Sequence, residues 1–114
     1  MKLGAIPSAA PASVQPLRAR ANLSLMEPPP RCDWLSACPA DGDALGNDRI
    51  GDCVPVAMLR ATQVRRANAW GDGWRPDLAA AEALYGVMAG YPARDDGTDT
   101  ARAMAWWVSA GIQT

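Results

Sequence analysis

The chain has 114 residues, 49% of them apolar and 20% charged, with a formal net charge of −1. That is room for one small domain. It is too apolar for a disordered tail and too weakly charged for a nucleic-acid binder that works through a basic surface. No apolar run approaches the roughly 18 residues that span a bilayer, and Leu3–Ile6 before Pro7 is too short for the apolar region of a secretory leader, so neither a membrane nor a nucleic-acid partner is expected.

Residues 1–31 differ from the rest. They hold six of the ten prolines, and Lys2, Arg18, Arg20 and Arg31 against Glu27 alone give them a net +3, while residues 32–114 carry −4. Such a segment cannot build its own core, and its prolines favour extended backbone. The expectation is an extended basic arm over 1–31, lying along a partner or along its own domain, with Lys2, Arg18 and Arg20 as partner-binding side chains.

From Arg31 to Asp52 the chain reads as irregular loop, with Pro39, Gly42, Gly46 and Gly51 among Asp41, Asp43, Asn47 and Asp48. About 20 residues of loop is long for a compact domain, and loops of that length are often functional. Three helices follow. The first opens at Asp52 as N-cap, tolerates Pro55 in its first turn, and ends near Trp70-Gly71; Val54, Ala57, Met58, Ala61 and Val64 are its expected apolar stripe. The second starts at Asp77, buries Leu78, Ala81, Leu84, Tyr85 and Met88, and stops at Gly90. The third starts near Asp99 or Thr100, carries Met104, Trp107 and Val108 as its stripe, and stops at Gly111. No strand shows a period-two pattern and no internal repeat is present. The expected fold is mainly α.

Chemistry concentrates in Gly46-Asn47-Asp48-Arg49-Ile50-Gly51-Asp52-Cys53. A glycine-bearing loop runs into a helix with a cysteine in its first turn. Free N–H groups and the positive end of the helix dipole favour a thiolate there and can hold an oxyanion beside the sulfur. Asn47 is placed for a returning loop to bring its amide to the same oxyanion, whereas the Asp52 carboxylate disfavours the thiolate. The composition opposes catalysis: histidine is zero, so neither a Cys–His nor a Ser–His pair can form within these residues.

The chain resembles the papain-like cysteine peptidases of tailed phages and prophages. The likeness begins with Met1-Lys2-Leu3-Gly4 and a proline-bearing leader, and its specific part is Leu45-Gly46-Asn47-Asp48-Arg49-Ile50-Gly51-Asp52-Cys53. Weaker pieces follow in order: Leu84-Tyr85, Gly90-Tyr91-Pro92, Asp96-Gly97-Thr98-Asp99 and Trp106-Trp107-Val108-Ser109-Ala110-Gly111-Ile112. The resemblance implies the helical front half of a papain-like α+β fold over 32–114, with Cys53 at the nucleophile position and Asn47 at the oxyanion-stabilising position. In such proteins the catalytic histidine belongs to a later β-rich half, and this chain stops where that half would begin. The expectation is a natural short form that keeps the scaffold and lacks the reaction; a truncated product of an active peptidase is the other reading.

Cys32 and Cys38 are spaced for a small loop disulfide but read as free thiols in a reducing cytoplasm, and a bridge in an oxidising exterior stays open. Asp95, Asp96 and Asp99 around Gly97 lack the spacing of a calcium loop and read as a turn and N-cap. No cofactor or metal is expected. Five tryptophans are many for this length. Trp107 fits the third helix's core face, and Trp106, about 100° round from it, is the candidate for a partner-facing surface, since apolar surface left uncovered by a missing half marks a protein contact. The functional expectation is a phage-encoded, catalytically incomplete protein that binds other virion proteins, such as a head cement or decoration protein, made in the host cytoplasm and resident in the virion. The location rests on the resemblance. The alternative is a cysteine peptidase or amidase-like enzyme with nucleophile Cys53 and its histidine on sequence or a partner chain not seen here.

Overall fold

The computed structural model describes residues 5–6, 27, 30–39 and 42–112. Lys2, Arg18, Arg20 and most of the expected arm lie outside the described residues. In chain order the elements are β1 (Ala5–Ile6), α1 (Cys53–Trp70), α2 (Leu78–Ala89), β2 (Thr98–Asp99) and α3 (Thr100–Ala110). The fold is mainly α.

The helix limits follow from local chemistry. Pro55 sits at the third position of α1, where an N–H has no intrahelical acceptor, and the first helical bond runs from the Val56 N–H to the Asp52 carbonyl (3.0 Å). Gly71, left-handed at φ 66°, ends α1 and returns its N–H to the Ala67 carbonyl. The Asp77 carboxylate accepts the Ala80 N–H (2.8 Å) at the start of α2, and Asp99 accepts the Arg102 N–H (2.8 Å) at the start of α3. Gly90 and Gly111 end these helices.

Residues 31–39 and 42–52 are irregular but bonded among themselves. Asp33 accepts the Leu35 and Ser36 N–H groups. A tight turn over 45–50 returns the Arg49 and Ile50 N–H groups to the Gly46 carbonyl (2.8 and 2.9 Å). That turn delivers Leu45, which is fully buried, into a core formed with Val56, Leu59, Ala81 and Leu84; Trp74, Met88, Trp106 and Ile112 pack around it.

Two helix faces differ from the expected stripes. On α1 the buried residues are Pro55, Val56, Met58, Leu59, Gln63 and Ala67, while Ala57 and Ala61 are exposed and Val54 and Val64 only half-buried. Both sets satisfy a helical period, because the helix carries small apolar residues nearly all round. The face with Val56 and Leu59 wins because it meets Leu45 and α2. The Val64 side instead faces the Trp34 loop, whose carbonyl accepts a bond from Asn68 Nδ2 (2.8 Å). On α3 the buried residue is Ala103; Met104 and Val108 point outward, Val108 at 86% exposure. Small Ala103 lets α3 approach closely and places Trp106 on the core. The β1–β2 pair is parallel, with Ala5 opposite Thr98 and Ile6 opposite Asp99. Two residues are too few to show a period in sequence.

Candidate functional site

The 45–51 loop folds back onto the start of α1, so that a Cβ on Gly46 would lie 3.3 Å from Asp52 Oδ2. Cys53, the first residue of α1, is half-buried, as is Asn47 on the turn. The structure thus places both candidates at one end of α1. Among the described residues no hydrogen bond joins the Asn47 amide to the Cys53 thiol.

Asp52 departs from its expected role. It occupies the N-cap position, but its backbone (φ −95°, ψ 19°) turns the carboxyl away from the free N–H groups and no side-chain cap bond forms. The side chain is instead fully buried, and among the described residues no hydrogen bond is made to either carboxyl oxygen. Burial pushes its pKa up to about 6; its own backbone N–H opposes that shift, and the Asp95, Asp48 and Glu82 carboxylates reinforce it.

Behind Asp52 lies a polar hub joining the loop to α2 and the 95–97 turn. Asp95 Oδ1 accepts the Gly51 N–H (2.7 Å) and the Tyr85 hydroxyl (3.0 Å), and that hydroxyl accepts the Gly97 N–H (2.9 Å). Gly51 is required here, since a Cβ would stand 3.0 Å from Asp95 Oδ1 and 3.1 Å from the Tyr85 oxygen. The Tyr85 ring is fully buried and stacks on Tyr91 at 5.2 Å. Burial raises the Tyr85 phenol above its usual range; the Gly97 N–H opposes this and the Asp95 carboxylate adds to it. Sequence reasoning put Tyr85 only on an apolar face and missed this hub. Its one sequence sign is a tyrosine, whose hydroxyl needs a partner when buried.

The remaining candidates are placed as follows. Asp95 serves the hub and Asp99 caps α3, as a turn and N-cap require; among the described residues no group of three or more acids or cysteines is arranged to hold a metal. Cys32 and Cys38 carry free thiols, and the Cys38 thiol donates to the Trp34 carbonyl (3.7 Å). Trp106, expected on a partner-facing surface, packs half-buried on the core and lines an apolar cleft of about 360 Å³ with Leu59, Trp74, Leu84, Val87 and Ile112. The tryptophans and apolar side chains that do face outward include Trp34, Leu35, Trp70 and Val87. Arg66 spans Trp70 and Trp74 (5.9 and 5.2 Å to the ring centres) while pairing with Asp72 at 2.7 Å, and that pairing holds the Asp72 carboxyl below its ordinary range.

Comparison with protein-family models, with curated proteins and with solved structures gave no match.

Proposed function

We propose that this chain is a binding and structural protein, built on the helical front half of a papain-like fold, that works by contact and not by turnover. The observation that carries this reading is the chemistry around Cys53. The thiol stands at a helix tip, but no imidazole exists in the sequence to take its proton. The adjacent buried side chain, Asp52, is a carboxyl group and not an imidazole. Outward-facing Trp34, Leu35, Val87 and Val108 supply apolar surface of the kind that marks a protein contact. The Leu45–Cys53 motif, through its resemblance to phage papain-like peptidases, supports a place in a tailed-phage virion, as a head cement or decoration protein among other virion proteins.

The test is a census of purified particles: many copies per particle support the reading, and absence from particles ends it. The partly exposed position of Cys53 on the first residue of α1 favours one other reading, a cysteine peptidase or amidase completed by a histidine from elsewhere. That reading predicts turnover lost on Cys53→Ala and rapid alkylation of Cys53 by iodoacetamide at neutral pH.

A further inference from the structure

Asp52 is the one fully buried acid among the described residues, and it sits under a loop rather than in a salt bridge. The Gly46–Gly51 loop lies against it at its Gly46 end, where a Cβ would stand 3.3 Å from Oδ2. The acids acting on it come from each surrounding element: Asp48 from the turn, Glu82 from α2 and Asp95 from the loop after α2. The basic residue in the turn, Arg49, is exposed and pairs with Asp48 at 3.9 Å. Tyr85 directs its hydroxyl to Asp95, not to Asp52. Among the described residues no hydrogen bond is made to the Asp52 oxygens, so a charge on them is favoured by the residue's own backbone N–H and opposed more strongly by burial and three carboxylates. The same loop ends at Gly51, whose N–H is tied to Asp95. Moving Asp52 toward water therefore pulls on the hub.

We propose that Asp52 is a proton-operated latch: the neutral carboxyl lies buried beneath the Gly46–Gly51 loop and keeps the tip of α1 closed, and loss of its proton to solvent drives the carboxylate outward and opens that loop. The step moves one proton and breaks no covalent bond. The device is independent of whether the tip of α1 serves binding or catalysis. Its consequence is that the surface around Asn47 and Cys53 has one shape in acid and another above neutrality.

Amide hydrogen exchange on the full chain tests this, with rates corrected for the intrinsic pH dependence of exchange. A carboxyl held at about 6 when closed and returned to its ordinary 3.8 when open shifts the opening equilibrium by about tenfold between about pH 5 and about pH 8. The expected result is a tenfold loss of protection at the Ile50, Gly51 and Gly97 amides, with amides inside α2, such as Leu84, changing much less. Uniform loss along the whole chain, or unchanged protection in the loop, overturns the latch. Asp52→Asn is expected to abolish the pH dependence, and persistence of the dependence in that variant also overturns it. If the variant does not fold, the wild-type comparison of loop with helix decides alone.

Discussion

Replacing Tyr85 with phenylalanine removes one oxygen atom and leaves the ring stacked on Tyr91. In the native protein that oxygen accepts the Gly97 N–H at 2.9 Å and donates to Asp95 at 3.0 Å, in a side chain with no exposed surface. Each bond contributes about 1 kcal/mol net, and stranding the buried Gly97 N–H adds a further desolvation cost of about 1–2 kcal/mol. Asp95 keeps the Gly51 N–H at 2.7 Å, so its loss is limited to the single bond. The expected destabilisation is about 3 kcal/mol, which corresponds to a fall in Tm of roughly 15 °C for a domain of this size. Urea unfolding followed by tryptophan fluorescence reads this directly, provided the denaturant slope is unchanged. A loss below about 1 kcal/mol would refute the reasoning, because it would mean that the hydroxyl does not join the 95–97 turn to α2.

Three further outcomes are expected. The folded-state pKa of Asp52 lies above its ordinary 3.8, so the folded state holds that proton more tightly than the unfolded one. Its stabilising effect is present in acid and is lost as pH rises through about 6. Between about pH 4 and about pH 8 the wild type should therefore lose about 2.5 kcal/mol relative to Asp52→Asn, measured as the difference between paired urea titrations; a constant difference would contradict the assigned burial. Gly51→Ala drives a methyl group against Asp95 Oδ1 and the Tyr85 oxygen, and should cost about 1–3 kcal/mol by the same titration, in contrast to a near-neutral Gly73→Ala, where a Cβ meets nothing. Leu59→Ala should cost about 3 kcal/mol, whereas Val108→Asp should stay within about 0.5 kcal/mol of wild type. The reverse order would mean that the outer stripe of α3 packs inward.

What the sequence determined is local. Asp77 and Asp99 cap their helices, and Gly71, Gly90 and Gly111 end them, because each effect acts within one turn of backbone. The mainly α character, the irregular loop before Cys53 and the placing of that cysteine on the first residue of a helix were legible for the same reason. Tertiary structure decided the rest. Which face of α1 and α3 turns inward was open, since alanine-rich helices offer more than one apolar stripe and only the neighbour selects among them. Leu45 enters the core through a turn that no periodicity marks. Asp52 carries a strong N-cap signature, yet its carboxyl lies buried against the returning loop, so burial overrides capping. The hub links Gly51 to a partner 44 residues away, and a bond of that range leaves no trace in sequence spacing because it exists only once the chain has closed around it.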